Sequence, residues 1–194
     1  MSSIKLCLFH IAFILFLISQ RKNIYHTSKC YTIMKIQDLL NKKNLDYFYI
    51  MHLSYEGRER RRLWNHAKKD NIIGLQHIKI NEDWEEATSD TKNSLSNLWR
   101  SQFNYFCDME RGDIVVVMNG YDSILGVAKL TIDHHNFTPE LWDVFFDHNR
   151  PVEWIKEYEY DNRKPLKNPI TFRNTLALID ETSKRWNSLL KEEI

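Results

Sequence analysis

The sequence predicts an α+β domain, and three observations carry that reading. Short runs of β-branched and aromatic residues of strand length are mixed with segments of helical period, without the regular alternation of a parallel βαβ fold. Hydrophobic residues make up 43%, with ten Phe, nine Tyr and six Trp, ample for a packed core and unlike a disordered chain. Glycine (five) and proline (four) are scarce, so no Gly/Pro-rich linker divides the 194 residues, a length that suits one domain.

The first 33 residues stand apart from the rest. Leu6 to Ile18 is strongly apolar but shorter than the ~20 residues that a spanning helix needs. It looks like the apolar core of a signal sequence, yet Gln20-Arg21-Lys22-Asn23 follows it in place of a small-residue cleavage site. Three readings stay open: a membrane anchor built on residues 4–19, a packed N-terminal helix, or translation that starts at Met34. Met34-Lys35-Ile36-Gln37-Asp38-Leu39-Leu40 reads as a natural helical start, so the domain is expected over 34–194.

From Met34 the elements follow in order. Residues 35–44 suit a short amphipathic helix, and Tyr47 to Met51 a strand. Ser54-Tyr55-Glu56-Gly57 reads as a loop feeding a helix near 58–70, which Asp70-Asn71 stops. Ile72 to Ile78 suits a second strand, and the acidic Asn81 to Glu86 a loop or turn. Ser89 or Asp90 can cap a helix through Phe106 that puts Leu95, Leu98, Trp99, Phe103 and Phe106 on one face. Arg111-Gly112-Asp113 is a turn. Ile114 to Met118 is a β-branched run fit for a buried strand, Asn119-Gly120 is a hairpin signal, and Ile124 to Leu130 returns as the partner. A polar stretch holding Asp133, His134 and His135 leads to Glu140–Phe146. Arg150 to Ile155 is another strand with Val152 and Trp154 on one face. Thr175 to Leu190 reads as a helix, with Leu176, Ile179, Trp186 and Leu190 on one side.

Charge and cysteine content narrow the function. The net charge is +1, but Lys5, Arg21, Lys22 and Lys29 lie in the first 33 residues, which hold no acid; the remaining 23 basic and 26 acidic residues give −3. A nearly neutral domain cannot attract phosphates over its whole surface, so any nucleic-acid site is a local patch. Cys7, Cys30 and Cys107 are too few and too scattered for a disulfide framework or a structural zinc site, and fit an intracellular, cytoplasmic protein. Cys107 closes an apolar stripe and reads as a buried thiol.

No glycine-rich phosphate loop, dinucleotide fingerprint or nucleophile elbow occurs, so no catalytic residue or cofactor is expected. His134, His135 and His148 with Asp133 raise the question of a metal. Adjacent histidines on a strand point to opposite faces, which favours a solvated loop over a shared ion. Glu140, Asp143 and Asp147 fit a solvated helix face, although a hydrolase using these groups is a further alternative.

The sharpest charge feature is the segment from Gly57 to Lys69. Arg58, Arg60, Arg61, Arg62, Lys68 and Lys69 there face a single acid, Glu59. On a helix the cations span a broad arc, with Leu63 and Ala67 opposite. Such an arc can track a phosphate backbone, or simply be a solvated surface. Tryptophan offers stacking platforms for extruded bases. Trp99, Trp154 and Trp186 read as core, while Trp64, Trp84 and Trp142 lie in polar surroundings.

The run Arg111 to Met118, followed by Ser123 to Leu130, resembles the central hairpin of EVE and YTH domains of the PUA-like superfamily. His148-Asn149-Arg150-Pro151-Val152-Glu153-Trp154 is similar to a strand of EVE-like domains, a combination found in the N-terminal domains of McrB-type restriction subunits. The resemblance covers roughly residues 48–190. It implies a PUA-like twisted β-barrel flanked by helices that reads nucleic acid, DNA or RNA, and holds a methylated base in an aromatic cage. Gln76 stands where the pattern has its first cage tryptophan, Trp142 stands near the second, and Ser54 and Tyr55 fall where the base edge is contacted. Ser54, Gln76, His77 and Asn119 are suited to a base's hydrogen-bonding edge. The cationic helix would anchor the flanking phosphates, and a nuclease or AAA+ motor partner would supply cleavage. The alternative is a PUA-like RNA-binding domain without modification specificity.

Overall fold

The structure, a computed structural model, describes residues 34–53, 59–141, 143–170, 174–180, 182–183 and 189–194. Helix α1 (Ile36–Lys43) is held at its start by Asp38, whose carboxylate accepts the Lys35 amide at 3.1 Å, and it ends at Asn44 in the left-handed region. Strand β1 (Tyr47–His52) precedes α2 (Arg60–Asp70), which Asn71 closes with φ 54°. Asparagine tolerates that conformation better than most residues. Then come β2 (Ile72–Leu75), α3 (Ser89–Asn93), α4 (Asn97–Asp108), β3 (Ile114–Asn119), β4 (Ser123–Leu130), β5 (Asn136–Phe137), β6 (His148–Glu157), β7 (Lys164–Pro165) and β8 (Leu176–Asp180).

One mixed sheet runs in the order β2-β6-β4-β3-β1-β8, with β5 on β6 and β7 on β4. Among the described strands, only β1 and β3 pair in parallel. Irregularities at Val117/Met118 and Val127/Ala128 fall in the central hairpin, where such bulges increase twist. The α+β architecture expected from the sequence is thus present.

The central strands are buried on both faces, which is why they read as unbroken apolar runs. Val115 and Val117 join one core with Met51, Leu63, Trp64, Phe103 and Phe106. Ile114, Val116 and Met118 join the other with Leu40, Phe48 and Ile50. Helix α2 lays Leu63, Trp64 and Ala67 on the first core. The Trp64 indole donates to the Tyr158 carbonyl at 2.8 Å and meets Trp154 edge to face. Gly126 admits this packing, because a β-carbon there would lie 2.8 Å from the Trp64 ring and 2.9 Å from the Lys156 carbonyl. Arg150, fully buried, donates to the carbonyls of Phe106 and Cys107 at 2.6 and 3.3 Å, tying β6 to the last turn of α4. There a cation also meets the negative end of the helix.

Four expectations need correction. Leu176–Asp180 is a strand paired with β1, not the start of a helix. Its apolar run serves both cores at once, and an apolar run of that length fits either period. The helix expected from Ser89 to Phe106 is two helices, because Thr88 and Ser96 each cap one, accepting the amides of Thr91 and Trp99. Leu98, expected on the apolar face, is 45% exposed. The strand that starts at Ile72 stops at Leu75, and Ile78 is exposed. No described helix is long and apolar enough to cross a membrane, and residues 4–19 lie outside the described residues.

Candidate functional site

Gln76 follows β2, whose last residue, Leu75, faces His148 at the start of β6. Its side chain is buried, 2% exposed, and neither Oε1 nor Nε2 has a hydrogen-bond partner among the described residues. Leaving such a group unbonded costs about 1–3 kcal/mol, and native buried polar groups are bonded as a rule. His77 is partly buried. Its Nδ1 accepts the Lys79 amide at 3.2 Å and its ring meets Trp99 at 4.6 Å.

Trp84, expected from its polar neighbours to be a base-stacking wall, is core. It is 4% exposed, stacks on Phe103 at 4.8 Å, and its indole donates to Asn104 at 2.9 Å. Trp64 is core as well. Asn119 ends β3 opposite Ser123, at the hairpin, and its side-chain oxygen accepts the Tyr160 hydroxyl at 3.2 Å. Among the described residues, no hydrogen bond or ring contact joins Gln76, Trp84 and Asn119, so these candidates do not form one constellation. Ser54, Tyr55, Arg58 and Trp142 lie outside the described residues.

The cations of α2 fall into two sets. Arg61 makes a bidentate pair with Asp161 at 2.6 and 2.9 Å, and Lys68 meets Glu159 at 2.9 Å. Arg60, Arg62 and Lys69 are exposed and have no ion-pair partner among the described residues. Lys69 lines an open groove with Asn65, Lys68 and Glu157. Arg60 lies by the hairpin, with Nη1 3.6 Å from the point where a Gly120 β-carbon would stand. It also acts on His52. Burial first, then the Arg60 charge, hold that imidazole down to about 4, so it is neutral.

Sequence reasoning missed the segment that organises this face. Two guanidinium groups lie near the Tyr160 ring, Arg61 at 5.2 Å and Arg163 at 5.5 Å from its centre. Arg163 also donates to Ser123 Oγ at 3.1 Å. The run Tyr158-Glu159-Tyr160-Asp161 was the available signal, since its acids complement Arg61 and Lys68 opposite.

The histidines depart furthest from expectation. His135 is not in a solvated loop: it is 7% exposed, and its Nε2 lies 3.0 Å from Asp83 Oδ1. His148 is fully buried. Its Nδ1 faces Asp147 at 3.0 Å and its Nε2 accepts the Trp84 amide at 3.1 Å. Asp147 is 1% exposed and therefore not on a solvated helix face. Neither His134 nor His135 is on a strand: His134 is exposed, and the ring that His135 meets is His148, brought close by the pairing of β5 with β6. Cys107 is a free, partly buried thiol, and burial pushes it up to about 12.

Fold and site together define an α+β domain with one mixed sheet, a cationic helix over its first core, and a buried histidine pair beside that core. The chain belongs to the family described as a domain of unknown function, DUF8426, whose model matches residues 51–178. No curated protein matches it. Among solved structures, it is similar at 17% identity and a TM-score of 0.36 to the YTH domain of the Zygosaccharomyces rouxii MRB1 protein, described in complex with N6-methyladenosine RNA. That match covers 75% of this chain and 87% of the other.

Proposed function

We propose that this protein is a nucleic-acid reader that takes an extruded base against Gln76 and holds the neighbouring phosphates with Arg60, Arg62 and Lys69. The observation that carries the reading is the Gln76 carboxamide, buried with both ends unbonded. A carboxamide offers one donor and one acceptor side by side, the complement of an adenine edge, and such a bidentate pair is worth roughly 1–3 kcal/mol of discrimination. The three unpaired cations support it, because arginines already committed to carboxylates have less to offer a phosphate. In this reading the domain targets and does no chemistry of its own; a partner subunit acts on the bound strand.

The resemblance to EVE and YTH domains favours a methylated base. Gln76 in the place of an aromatic wall favours a second version, in which a base edge is read without discrimination for a methyl group. A buried methyl adds only about 0.8 kcal/mol, so shape decides between the two.

Gln76→Leu separates function from stability. Leucine removes an unbonded buried amide, so the variant is expected to unfold at the same or a higher urea concentration. It should bind single-stranded oligonucleotides, methylated or not, at least fivefold more weakly by fluorescence anisotropy. Wild-type affinity in Gln76→Leu across methylated and unmethylated RNA and DNA would remove the assignment.

A further inference from the structure

We propose that Asp83, His135 and His148 form a binding site for one divalent transition-metal ion of the zinc type. One ligand atom from each lies within 4.8 Å of the others, close enough to converge on an ion. The residues come from the loop after β2, from the residue before β5, and from the first residue of β6. The pairing of Phe137 with His148 fixes the last two relative to each other, and the two imidazoles lie 24° from parallel with ring centres 5.6 Å apart.

Each imidazole is backed by a further carboxylate. His148 Nδ1 faces Asp147 Oδ1 at 3.0 Å, and His135 Nδ1 faces Glu85 Oε2 at 3.5 Å. This is the outer-shell arrangement that orients metal-bound histidines, fixing the proton on one nitrogen and leaving the other for the ion. It also accounts for an otherwise awkward ring. His135 has a carboxylate against each nitrogen, its side chain is 1% exposed, and its Nδ1 has no hydrogen-bond partner. A neutral imidazole has one N–H and one in-plane lone pair, so with a carboxylate at each nitrogen the lone pair faces an anion. An ion on Nε2 removes the conflict: Nδ1 keeps the proton and turns it towards Glu85.

Two imidazoles and one carboxylate suit zinc and its neighbours rather than magnesium or calcium, and three protein ligands leave a coordination position open. The Asp83 side chain is 26% exposed, which gives the ion a way in. The bond that the ion must displace is the one from the Trp84 amide to His148 Nε2.

The test is zinc content and thermal stability of the full chain after equilibration with micromolar zinc and gel filtration. Wild type should retain about one zinc per chain and melt higher with zinc than after chelation. Asp83→Asn, a change at a partly exposed side chain, should bind zinc at least tenfold more weakly and lose that shift. Glu86→Gln, its exposed neighbour outside the cluster, should behave as wild type. Substoichiometric zinc in wild type, or equal retention by Asp83→Asn, would overturn the site and leave the three residues as a hydrogen-bonded network. Neither result bears on nucleic-acid binding, which is measured separately.

Discussion

Helix α2 carries its charge on the outside, on nearly consecutive residues of one element, whereas His135, His148 and Asp147 are buried and gather with Asp83 from segments up to 65 residues apart. The outer charges cost little to hold. Water screens them, and the exposed pair between Arg61 and Asp161 is worth about 0–1 kcal/mol. The inner groups have no water to fall back on, so each must find a specific partner or leave a deficit. Polar residues on a surface therefore record what a protein attracts, while buried polar residues record what it must satisfy. Among the described residues, Gln76 is buried with both ends of its carboxamide unbonded, and His135 has one ring nitrogen unbonded beside a carboxylate.

The largest effect expected on the outer region comes through His52, which is buried and feels the Arg60 charge. Its pKa lies at about 4 in the folded protein, against an ordinary 6.5. Above pH 6.5 neither the folded nor the unfolded state carries that proton, and the group costs nothing. As pH falls from 6.5 to about 4, the unfolded chain takes up the proton and the folded one does not, so stability is lost. The loss amounts to about 3 kcal/mol at most, and it levels off once both states are protonated. Urea unfolding at pH 7 and pH 4.5 should show a smaller difference for His52→Gln than for wild type. Equal differences would mean that the folded protein does not hold the His52 imidazole below its ordinary value.

A somewhat smaller effect probes the inner region. At Gly74 an added β-carbon would stand 2.5 Å from Phe146 Cβ and 2.9 Å from the His148 carbonyl, and neither can retreat cheaply. Gly74→Ala should cost about 1–3 kcal/mol by overpacking. Gly112→Ala, where nothing lies within 4 Å but φ is +101°, should cost about 1 kcal/mol, from backbone strain alone. Equal costs in urea unfolding would show that the β2–β6 pairing yields more easily than its packing indicates.

The sequence made some of this legible and hid the rest for physical reasons. Ile114 to Leu130, with Asn119-Gly120 at its centre, is a local signal: strand, turn and partner are adjacent, so the hairpin could be read directly. Arg58 to Lys69 was legible because one helix carries both the inward Leu63 and Ala67 and the outward cations. Which cations are spent could not be read, since Glu159 and Asp161 lie some ninety residues away. Separations of 52 and 65 residues likewise hid Asp83 from His135 and His148. Trp84 misled because the acids beside it, Asp83 and Glu85, stay partly exposed even where they meet His135, while its own ring stacks on Phe103. Leu176 to Asp180 misled because a strand buried on both faces has no period of two to display.

The most direct measurement for the reader hypothesis is the salt dependence of binding to a labelled single-stranded RNA. It should be followed in wild type, in Arg60→Glu/Arg62→Glu/Lys69→Glu, and in Arg61→Glu/Lys68→Glu. If the unpaired cations meet phosphates, the triple reversal lowers affinity by at least a hundredfold and reduces the slope of log K against log salt by about two. The double reversal, at positions already paired with Asp161 and Glu159, has the smaller effect. An unchanged affinity and slope in the triple variant would contradict the account.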